Sequence, residues 1–319
     1  MHRLRTREVD LPLILYFSYL LPLYKIETRN NTLIAIKEYG ICKDLKCIYA
    51  GNELECIIPN NCSYEDFSIL VGLKLKPLMD KLLRQASRRG FKPKILKKFT
   101  LPYSFHDKLY VFLSVYLSRN TDYYKNTVKW VKTLISNNCI KLPMKCSGFY
   151  KSYQYREALH ILPWVVDILS TDLQPLREAT ALMKLKGVSI KTATAYLLHA
   201  YGLTRYAPID RHYEKVLSRL GVSVYRPSTK KMCTKYSLNC KVCSLRDRCT
   251  YGILYNKLKH FNGLIQSIVY IYGRLELIHR HFVKPSSFEK QLLDFIDMEG
   301  FVIETTEFFY EILSEVLRY

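Results

Sequence analysis

Acidic residues are scarce in this chain of 319 residues: 28 Asp and Glu stand against 49 Lys and Arg, which leaves a formal net charge of +21. The basic residues are spread along the whole chain and are not gathered in a tail. Such an excess is typical of proteins with a polyanionic partner, most often nucleic acid, although a solvated basic face or a generally basic proteome would give the same count. Hydrophobic residues make up 49% of the chain, which excludes a disordered protein.

A long apolar run is also missing near the amino end, where one would be needed to cross a membrane. Residues 11–24, LPLILYFSYLLPLY, are too few for a span, include Pro12 and Pro22, and are followed by no small-residue cleavage site. We interpret this run as a buried strand or a short helix. The expectation is a soluble protein of the cytoplasm or nucleoid, of prokaryotic origin, without a membrane partner and acting as a monomer.

Cysteine, by contrast, is abundant for an intracellular chain. Four of the ten cysteines are clustered between residues 233 and 249. The other six are scattered: Cys42, Cys47, Cys56, Cys62, Cys139 and Cys146. These six are interpreted as either buried apolar residues or disulfides. Disulfides inside a cell would indicate a hyperthermophilic source, with which the many Tyr, Ile and Lys residues are compatible.

The pattern of apolar residues changes along the chain. Two hairpin-like patterns with turns at Asn30-Asn31 and Gly51-Asn52 predict a small antiparallel sheet between about residues 24 and 60. From about residue 104 the apolar spacing is helical, with short breaks and no long repeat or low-complexity segment. The sequence therefore predicts an α+β fold, mainly α with a small amino-terminal antiparallel β-sheet.

These changes divide the chain into three segments. We expect an amino-terminal α+β domain at 1–100, a helical domain at 101–284, and a carboxy-terminal extension at 285–319. The extension is predicted to contain a helix, a strand-like piece GFVIETTEFF at 300–309, and another helix.

A glycine separates two helix-like runs in LKGVSIKTATAYLLHAYG, residues 185–202. Gly187 permits a sharp turn, and the free N–H groups at the start of the second helix would suit a phosphate oxygen, as in a helix-hairpin-helix that holds a nucleic-acid backbone. An ordinary helical hairpin in a bundle is the alternative. Lys191 lies in the first turn of the second helix and shares a face with Ala195 and Leu198, so partial desolvation would favour a neutral, nucleophilic amine.

A carboxylate follows Lys191 at a sequence separation that could bring the two side chains together. Asp210 lies 19 residues after Lys191, directly before the predicted helix DRHYEKVLSRLG. Its position suits an N-cap, and a cap alone would explain the residue. The separation is about one helix and one loop, so the chain can turn back and place lysine and carboxylate in one cleft.

The clustered cysteines have the spacing C-x6-C-x2-C-x5-C, at Cys233, Cys240, Cys243 and Cys249. Four thiolates so close in sequence can close around one metal centre. A structural zinc site usually has two C-x2-C pairs, and this loop has one. The uneven spacing favours a cubane iron–sulfur cluster over zinc or free thiols. The loop is also strongly basic, through Lys235, Lys241, Arg246 and Arg248.

These three features, in this order, resemble the helix-hairpin-helix DNA glycosylase superfamily, and within it the endonuclease III-like iron–sulfur members. The family pattern L-P-G-V-G-x-K-[TV]-A corresponds to residues 185–193 and [VI]-D-x-H to residues 209–212, and the cysteine spacing is the same. GFYKS, residues 148–152, resembles a helix start of the family. YLSRNTD, residues 116–122, resembles the loop that fills the gap left by an extruded base. The match covers about residues 105–255.

Four departures separate this chain from the family pattern. Lys186 stands in place of the hairpin proline and Ser189 in place of the second glycine. The cysteine loop begins only 23 residues after Asp210, whereas in the endonuclease III-like proteins it lies near the carboxyl end. The predicted amino-terminal sheet, which endonuclease III lacks, resembles that of 8-oxoguanine glycosylases. The resemblance thus implies a two-lobed glycosylase fold with an iron–sulfur loop at 233–249.

The resemblance also implies an activity. The chain is expected to be a bifunctional DNA glycosylase and AP lyase of base excision repair, which flips an oxidised base out of double-stranded DNA containing a damaged or mismatched base. Lys191 would attack C1′ of the sugar and form a Schiff base that leads to β-elimination. Asp210 would stabilise positive charge on the sugar and help to keep Lys191 deprotonated. The four clustered cysteines would hold a [4Fe-4S] cluster.

The remaining site residues fall into two groups. Contacts to DNA are expected from Leu185, Lys186, Gly187, Ser189, Arg119, Asn120 and His212. Asn120 is preferred over Arg119 as the residue that fills the gap, and His212 is interpreted equally well as a structural histidine. Residues expected to stack on the base, or else to belong to the core, are Tyr150, Tyr153, Tyr155 and Trp164.

Two alternatives to this activity stay open. One is a glycosylase for uracil or thymine mismatches or for alkylated bases, which differs in the base pocket and not in the catalytic pair. The other is a non-catalytic DNA-binding or redox-sensing iron–sulfur protein. The presence of both Lys191 and Asp210 argues against the second alternative.

Overall fold

The computed structural model describes residues 2–225 and 230–318. In that part of the chain a small amino-terminal sheet precedes a larger set of helices, which confirms a mainly α fold with a small antiparallel sheet. The buried apolar side chains form one cluster that extends from Val9 to Leu317. The three segment boundaries stay predictions.

The sheet has five antiparallel strands in the order β1-β5-β4-β3-β2. The strands are β1 (His2–Thr6), β2 (Tyr24–Arg29), β3 (Thr32–Lys37), β4 (Lys46–Ala50) and β5 (Glu53–Ile58). Both turns lie where the sequence predicts them: Asn30 and Asn31 have φ values of 46° and 56°, and Gly51 and Asn52 have φ values of 56° and 67°. Consecutive positive φ angles suit the twist of a tight hairpin, and Asn and Gly adopt them at low cost. The edge strand β1 was not predicted.

All six scattered cysteines form disulfides, which decides between the two interpretations made from the sequence. Cys47 and Cys56 are direct partners across β4 and β5, and their thiols are joined. The remaining two bridges are Cys42–Cys62 and Cys139–Cys146. All six residues are also buried, so the cross-links lie beneath the surface.

The apolar run near the amino end is a short helix, α1 (Leu11–Tyr16), in which every residue is buried. Asp10 caps it, since its Oδ1 accepts a hydrogen bond of 2.9 Å from the amide of Leu13. This confirms the helix alternative of the sequence interpretation. In residues 2–225 and 230–318, no helix is long and apolar enough to cross a membrane.

The helices that follow the sheet are mostly short. Those that precede the predicted cysteine loop are α2 (Tyr64–Leu70), α3 (Lys76–Ser87), α4 (Lys108–Leu117), α5 (Val128–Ser136), α6 (Tyr153–Ser170), α7 (Pro175–Met183), α8 (Ile190–Tyr201) and α9 (Arg211–Arg219). Those in and after that loop are α10 (Lys230–Lys235), α11 (Thr250–Lys257), α12 (Asn262–His279), α13 (Ser287–Leu293), α14 (Met298–Glu307) and α15 (Ser314–Arg318). Helix α12 is almost entirely buried and packs against α9 and α14.

The predicted strand-like piece at 300–309 is wrong. Residues 298–307 form α14, and Asp297 caps its first turn by accepting a 2.9 Å hydrogen bond from the amide of Gly300. The apolar residues that gave the strand pattern pack instead on α12 and on the π-helical turn Phe308–Leu313. Tertiary packing on one face of the segment has overridden its local β-propensity.

A buried ion pair joins the sheet to the helices. Lys37, at the end of β3, donates to Asp107, directly before α4, with 2.9 Å between Nζ and Oδ2, and both side chains are fully buried. The same carboxylate accepts hydrogen bonds from Ser104 and from the amide of Ile41. Charges this deep are tolerated only when paired and hydrogen-bonded, so this pair fixes the start of α4 relative to the sheet.

Candidate active site

The glycine between α7 and α8 has the geometry that the hairpin requires. Gly187 has φ of +73°, in the left-handed region that favours glycine. Its carbonyl accepts a 2.7 Å hydrogen bond from Nη1 of Arg119, and the carbonyl of Lys186 accepts one of 3.0 Å from the hydroxyl of Tyr116. The hairpin is thereby fixed against the carboxyl end of α4.

Ser189, which replaces a family glycine, has a local structural role. It is the N-cap of α8, with extended backbone angles, and its Oγ accepts a 3.2 Å hydrogen bond from the amide of Thr192. Serine is among the favoured N-cap residues. The substitution therefore keeps the helix start intact, with the amide of Thr192 occupied by the cap.

The lack of space for a side chain at Gly187 leads to a testable prediction about stability. A Cβ there would overlap the guanidinium of Arg119, whereas a Cβ on Gly221, which has nearly the same φ of +74°, would meet nothing within 4 Å among the described residues. We expect Gly221→Ala to lower the free energy of unfolding by about 1 kcal/mol, the cost of the left-handed backbone alone. Gly187→Ala should cost about 2–4 kcal/mol, because overpacking is added. Urea unfolding of the two variants measures the difference, and equal losses would contradict the crowding argument.

Lys191 lies in the first turn of α8, and its side chain is exposed. The expected partial desolvation by Ala195 and Leu198 is therefore wrong for the free protein. Both of those residues are buried, but the first turn of the helix projects beyond the core, so the lysine side chain extends into solvent at the mouth of a cavity.

Asp210 is the N-cap of α9, as its position in the sequence indicates. Its Oδ1 accepts a 2.8 Å hydrogen bond from the amide of Tyr213. Its other oxygen, Oδ2, accepts one of 3.2 Å from Nε2 of Gln266 on α12, and the residue is buried. The cap and the amide together hold the carboxylate in one orientation. Gln266 was not predicted, since nothing in the sequence links α12 to this carboxylate.

Lys191 and Asp210 line one cavity, of about 910 Å³, as the sequence interpretation expects. The volume lies in the usual range for sites that enclose a small molecule. Five parts of the chain contribute walls: the segment after α1, the loop after α4, the helices α8 and α9, and the buried helix α12. The cavity therefore contains an exposed amine and a buried, oriented carboxylate in the same space.

His212 also lines this cavity, and its imidazole packs tightly against α12. A side chain at Gly273 would overlap the imidazole, and the ring of Tyr270 lies edge-on at 5.9 Å. Burial lowers the pKa of His212; Asp210 opposes this shift, and the charges of Arg211, Lys191 and Arg274 add to it. His212 therefore lies within electrostatic range of both Asp210 and Lys191.

Arg119 and Asn120 follow α4 at the same side of the cavity but differ in exposure. Arg119 is held by protein groups: its guanidinium lies 3.6 Å from the ring centroid of Tyr116 and pairs with Glu157 at 3.1 Å. Asn120 is exposed at φ of 51° and lines the cavity, and its amide contacts the hydroxyl of Tyr153 at 3.4 Å. The structure thus leaves Asn120, rather than Arg119, in a position to project from the surface.

The other predicted DNA contacts lie near the hairpin. Leu185 is half-buried and precedes the turn, and Lys186 is exposed, with its Nζ 3.4 Å from a carboxylate oxygen of Glu157. Glu157 therefore pairs with both Lys186 and Arg119.

None of the four aromatic residues expected at the base pocket lines this cavity. Tyr155 is fully buried and packs edge-on against Tyr150, with ring centroids 4.9 Å apart, and both pack on Trp130 of α5. Tyr153 and Trp164 are each half exposed on α6. Tyr150 and Tyr155 thus belong to a cluster with α5, whereas Tyr153 and Trp164 are partly exposed to solvent on α6. The aromatic residues that do line it are Phe17, Tyr19, Tyr123, Tyr124, Tyr251 and Tyr270.

The clustered cysteines are unpaired, unlike the other six. Burial raises the pKa of Cys233 to about 11 and that of Cys240 to about 12, and in both cases neighbouring thiols of the cluster add to the shift. The four sulfurs therefore lie near one another, between α10 and the start of α11. Among residues 2–225 and 230–318, however, no group of three or more His, Cys, Asp or Glu side chains is arranged as a metal site. The four cysteines are chemically suited to a four-thiolate metal centre, but their sulfur atoms are not arranged around a common point.

Neither a protein-family model nor a curated protein sequence matches the chain. Among solved structures, the chain is similar to the Clostridium acetobutylicum 8-oxoguanine glycosylase/lyase in complex with double-stranded DNA containing cytosine opposite 8-oxoG. The TM-score is 0.53 at 14% identity, and the match covers 84% of this chain and 92% of that chain. The apo form of that enzyme gives a TM-score of 0.51 at 15% identity, covering 85% of this chain and 96% of that chain. At such low identity the likeness concerns the fold, and the chain shares the architecture of these glycosylase/lyase structures.

Proposed function

We propose that the protein is a bifunctional DNA glycosylase and AP lyase that removes an oxidised base from double-stranded DNA. The observation that carries this proposal is the cavity that holds both the exposed amine of Lys191 and the buried, oriented carboxylate of Asp210. The net charge of +21 supports a DNA partner, and the fold shared with 8-oxoguanine glycosylase/lyase structures supports the reaction class.

The first chemical step would be displacement of the base. The damaged nucleotide leaves the stack so that C1′ can be reached, with Asn120 filling the gap that it leaves. The Nζ lone pair of Lys191 forms a bond to C1′, and the electron pair of the glycosidic bond departs with the base, which takes up a proton. Bound DNA would cover the mouth of the cavity and remove water from the amine.

Asp210 would act on the charge that develops during this step. As the glycosidic bond breaks, positive charge builds on C1′ and the ring oxygen of the sugar. A carboxylate held by the Tyr213 amide and by Gln266 needs little reorganisation to stabilise that charge. It would also accept the proton that Lys191 loses on forming the bond.

The second step would cut the strand. Loss of the ring oxygen from C1′ gives an imine between Lys191 and the opened sugar. The imine acts as an electron sink, so that a base removes a proton from C2′ and the 3′ phosphate leaves in a β-elimination. Hydrolysis of the imine then releases Lys191. A lysine at this position is what distinguishes a lyase from an enzyme that only removes bases.

The hairpin would hold the DNA backbone. The amide groups of Ile190 and Lys191, which precede the capped amide of Thr192 in α8, are suited to a phosphate oxygen. This contact would be completed by Leu185, Lys186 and Gly187. A DNA phosphate would replace Glu157 as the partner of Lys186. Such contacts position the duplex without reading its sequence.

The four unpaired cysteines are proposed to hold a [4Fe-4S] cluster. Cys233 lies in α10 and Cys249 caps α11, so the cluster would join these helices across the loop between them. We expect purified protein to be brown, with about four iron atoms per chain and absorbance near 400 nm. Cys240→Ser should lose most of the iron and the colour while keeping the three disulfides. A colourless protein with stoichiometric zinc would contradict the cluster.

The function is tested directly with wild-type protein. It is incubated with a panel of duplexes that each carry one lesion (8-oxoguanine, uracil, thymine glycol or a 3-methyladenine), and with a duplex that carries an abasic site. We expect nicking of the abasic duplex and of at least one oxidised-base duplex, and a covalent protein–DNA adduct when borohydride is present. Absence of any adduct on abasic DNA would refute the lyase.

A further inference from the structure

His199 is a buried residue of the cavity that has no role in the reaction as proposed above. It lies on α8 and is only 3% exposed, yet it lines the same cavity as Lys191 and Asp210. Its imidazole is near two aromatic rings of the segment after α1: the ring of Tyr19 lies edge-on at 4.8 Å between ring centroids, and that of Phe17 lies at 6.2 Å.

The imidazole of His199 has an unused hydrogen-bonding atom. Its Nδ1 is buried and has no hydrogen-bond partner among the described residues. Buried polar side chains in folded proteins are almost always partnered, and a methionine or leucine would fill this space without leaving a polar atom unpaired. Nδ1 is itself closed off from solvent, so a group that enters the cavity would meet the other ring nitrogen, Nε2, or would reach Nδ1 after a rotation of the ring.

The charge state of this histidine limits what it can bind. Burial lowers the pKa of His199 to about 3. The imidazole is consequently neutral at physiological pH and carries one hydrogen-bond donor and one acceptor. A neutral ring among aromatic walls does not attract phosphate, so the complementary group is a planar, polar heterocycle.

We propose that His199 is a specificity-determining residue, whose imidazole hydrogen-bonds the edge of the extruded base that lies farthest from the sugar. This inference rests on the proposed function. His199 follows Lys191 by eight residues, or about 12 Å along the helix axis. The amine of Lys191 must reach C1′, so only the far edge of the base extends toward His199, and a two-ring base extends farther than a one-ring base.

Tyr19, which packs edge-on against His199 and lines the same cavity, supports this assignment. Its hydroxyl lies 3.4 Å from Oγ of Ser118, and burial raises its pKa to about 12, so that it stays protonated as a donor. Together, His199 and Tyr19 present polar atoms within an aromatic surround. That combination recognises an uncharged base by its hydrogen-bonding edge and its flat face.

The experiment compares two substrates of the same enzyme. One duplex carries the oxidised base that the wild-type protein cleaves fastest, and the other carries an abasic site, which has no base for His199 to contact. For His199→Met we expect kcat/KM on the lesion to fall by about 10-fold to 100-fold, the effect of one lost hydrogen bond to the substrate. Nicking of the abasic duplex should change by less than about 2-fold. His199→Gln, which keeps a donor and an acceptor, should recover part of the loss.

His279→Met, at an exposed position on α12, serves as the matched control and should leave both rates unchanged. Equal losses on both substrates, with a lower melting temperature, would show that His199 is only structural and would overturn the inference. So would an unchanged rate on the lesion. A wild-type protein that nicks abasic DNA but removes no base would also overturn it, whereas failure on abasic DNA as well would refute the proposed function itself.

Discussion

Replacing Lys191 by glutamine is expected to abolish strand nicking and the borohydride-trapped adduct. Glutamine has no amine that can bond to C1′, so neither the imine nor β-elimination is available. We expect the rate of abasic-site cleavage to fall by about 10³-fold or more. The side chain is exposed and lies in the first turn of α8, so the substitution should leave the free energy of unfolding within about 0.5 kcal/mol of the wild-type value.

Lys81→Gln is the matched control for this experiment. Lys81 is an exposed lysine on α3 and does not line the cavity, so its loss changes the net charge by the same amount. Gel analysis of the trapped complexes should show an adduct for wild type and Lys81→Gln and none for Lys191→Gln. An adduct that persists in Lys191→Gln would mean that a different amine performs the reaction.

Replacing Asp210 by asparagine is expected to have the second largest effect. Asparagine is nearly isosteric and is itself a favoured N-cap, so the hydrogen bond from the Tyr213 amide is retained. What is lost is the negative charge beside the sugar. We expect base removal to slow by about 10²-fold to 10³-fold, as for other preorganised groups that stabilise transition-state charge.

Asp210→Ala removes both the side-chain cap and the charge, so its comparison with Asp210→Asn separates the two roles. It should lose a similar factor in base removal and in addition about 1 kcal/mol of stability, because the first turn of α9 loses its side-chain cap. Single-turnover rates and urea unfolding of the two variants give both quantities. If Asp210→Asn cleaves lesion DNA at the wild-type rate while Asp210→Ala does not, the residue is a cap and its charge has no catalytic part.

Local signals account for what the sequence predicted correctly. The two hairpins were visible because Asn and Gly are needed where φ is positive, and Asp210 was visible because an aspartate directly before an apolar helical pattern is a cap signal. The difference between six scattered cysteines and four clustered ones was also visible, although the three pairings were not. These features depend on residues within one turn or one loop.

Features that depend on distant parts of the chain were not predicted. Gln266 meets Asp210 across 56 residues, and Phe17 and Tyr19 reach the cavity from the amino-terminal segment. No periodicity carries such information, since it is decided by how α1, α8 and α12 pack. For the same reason the sequence did not show that Tyr150 and the aromatic residues of α6 lie outside the lining of the cavity that Lys191 and Asp210 share.

The disulfide-bonded cysteines and the four clustered cysteines differ in the redox conditions that they need while the chain folds. The bridges Cys42–Cys62, Cys47–Cys56 and Cys139–Cys146 form only under oxidising conditions, whereas Cys233 and its three neighbours, which are free thiols, would have to remain reduced in order to hold the proposed cluster. The bridges are buried in the folded chain, so reagents reach them slowly once folding is complete. The order of events therefore matters. Both conditions are met if the three disulfides form before the proposed cluster is assembled in the later loop. A strong thiol reductant present throughout refolding would keep the clustered thiols reduced but would prevent the disulfides from forming.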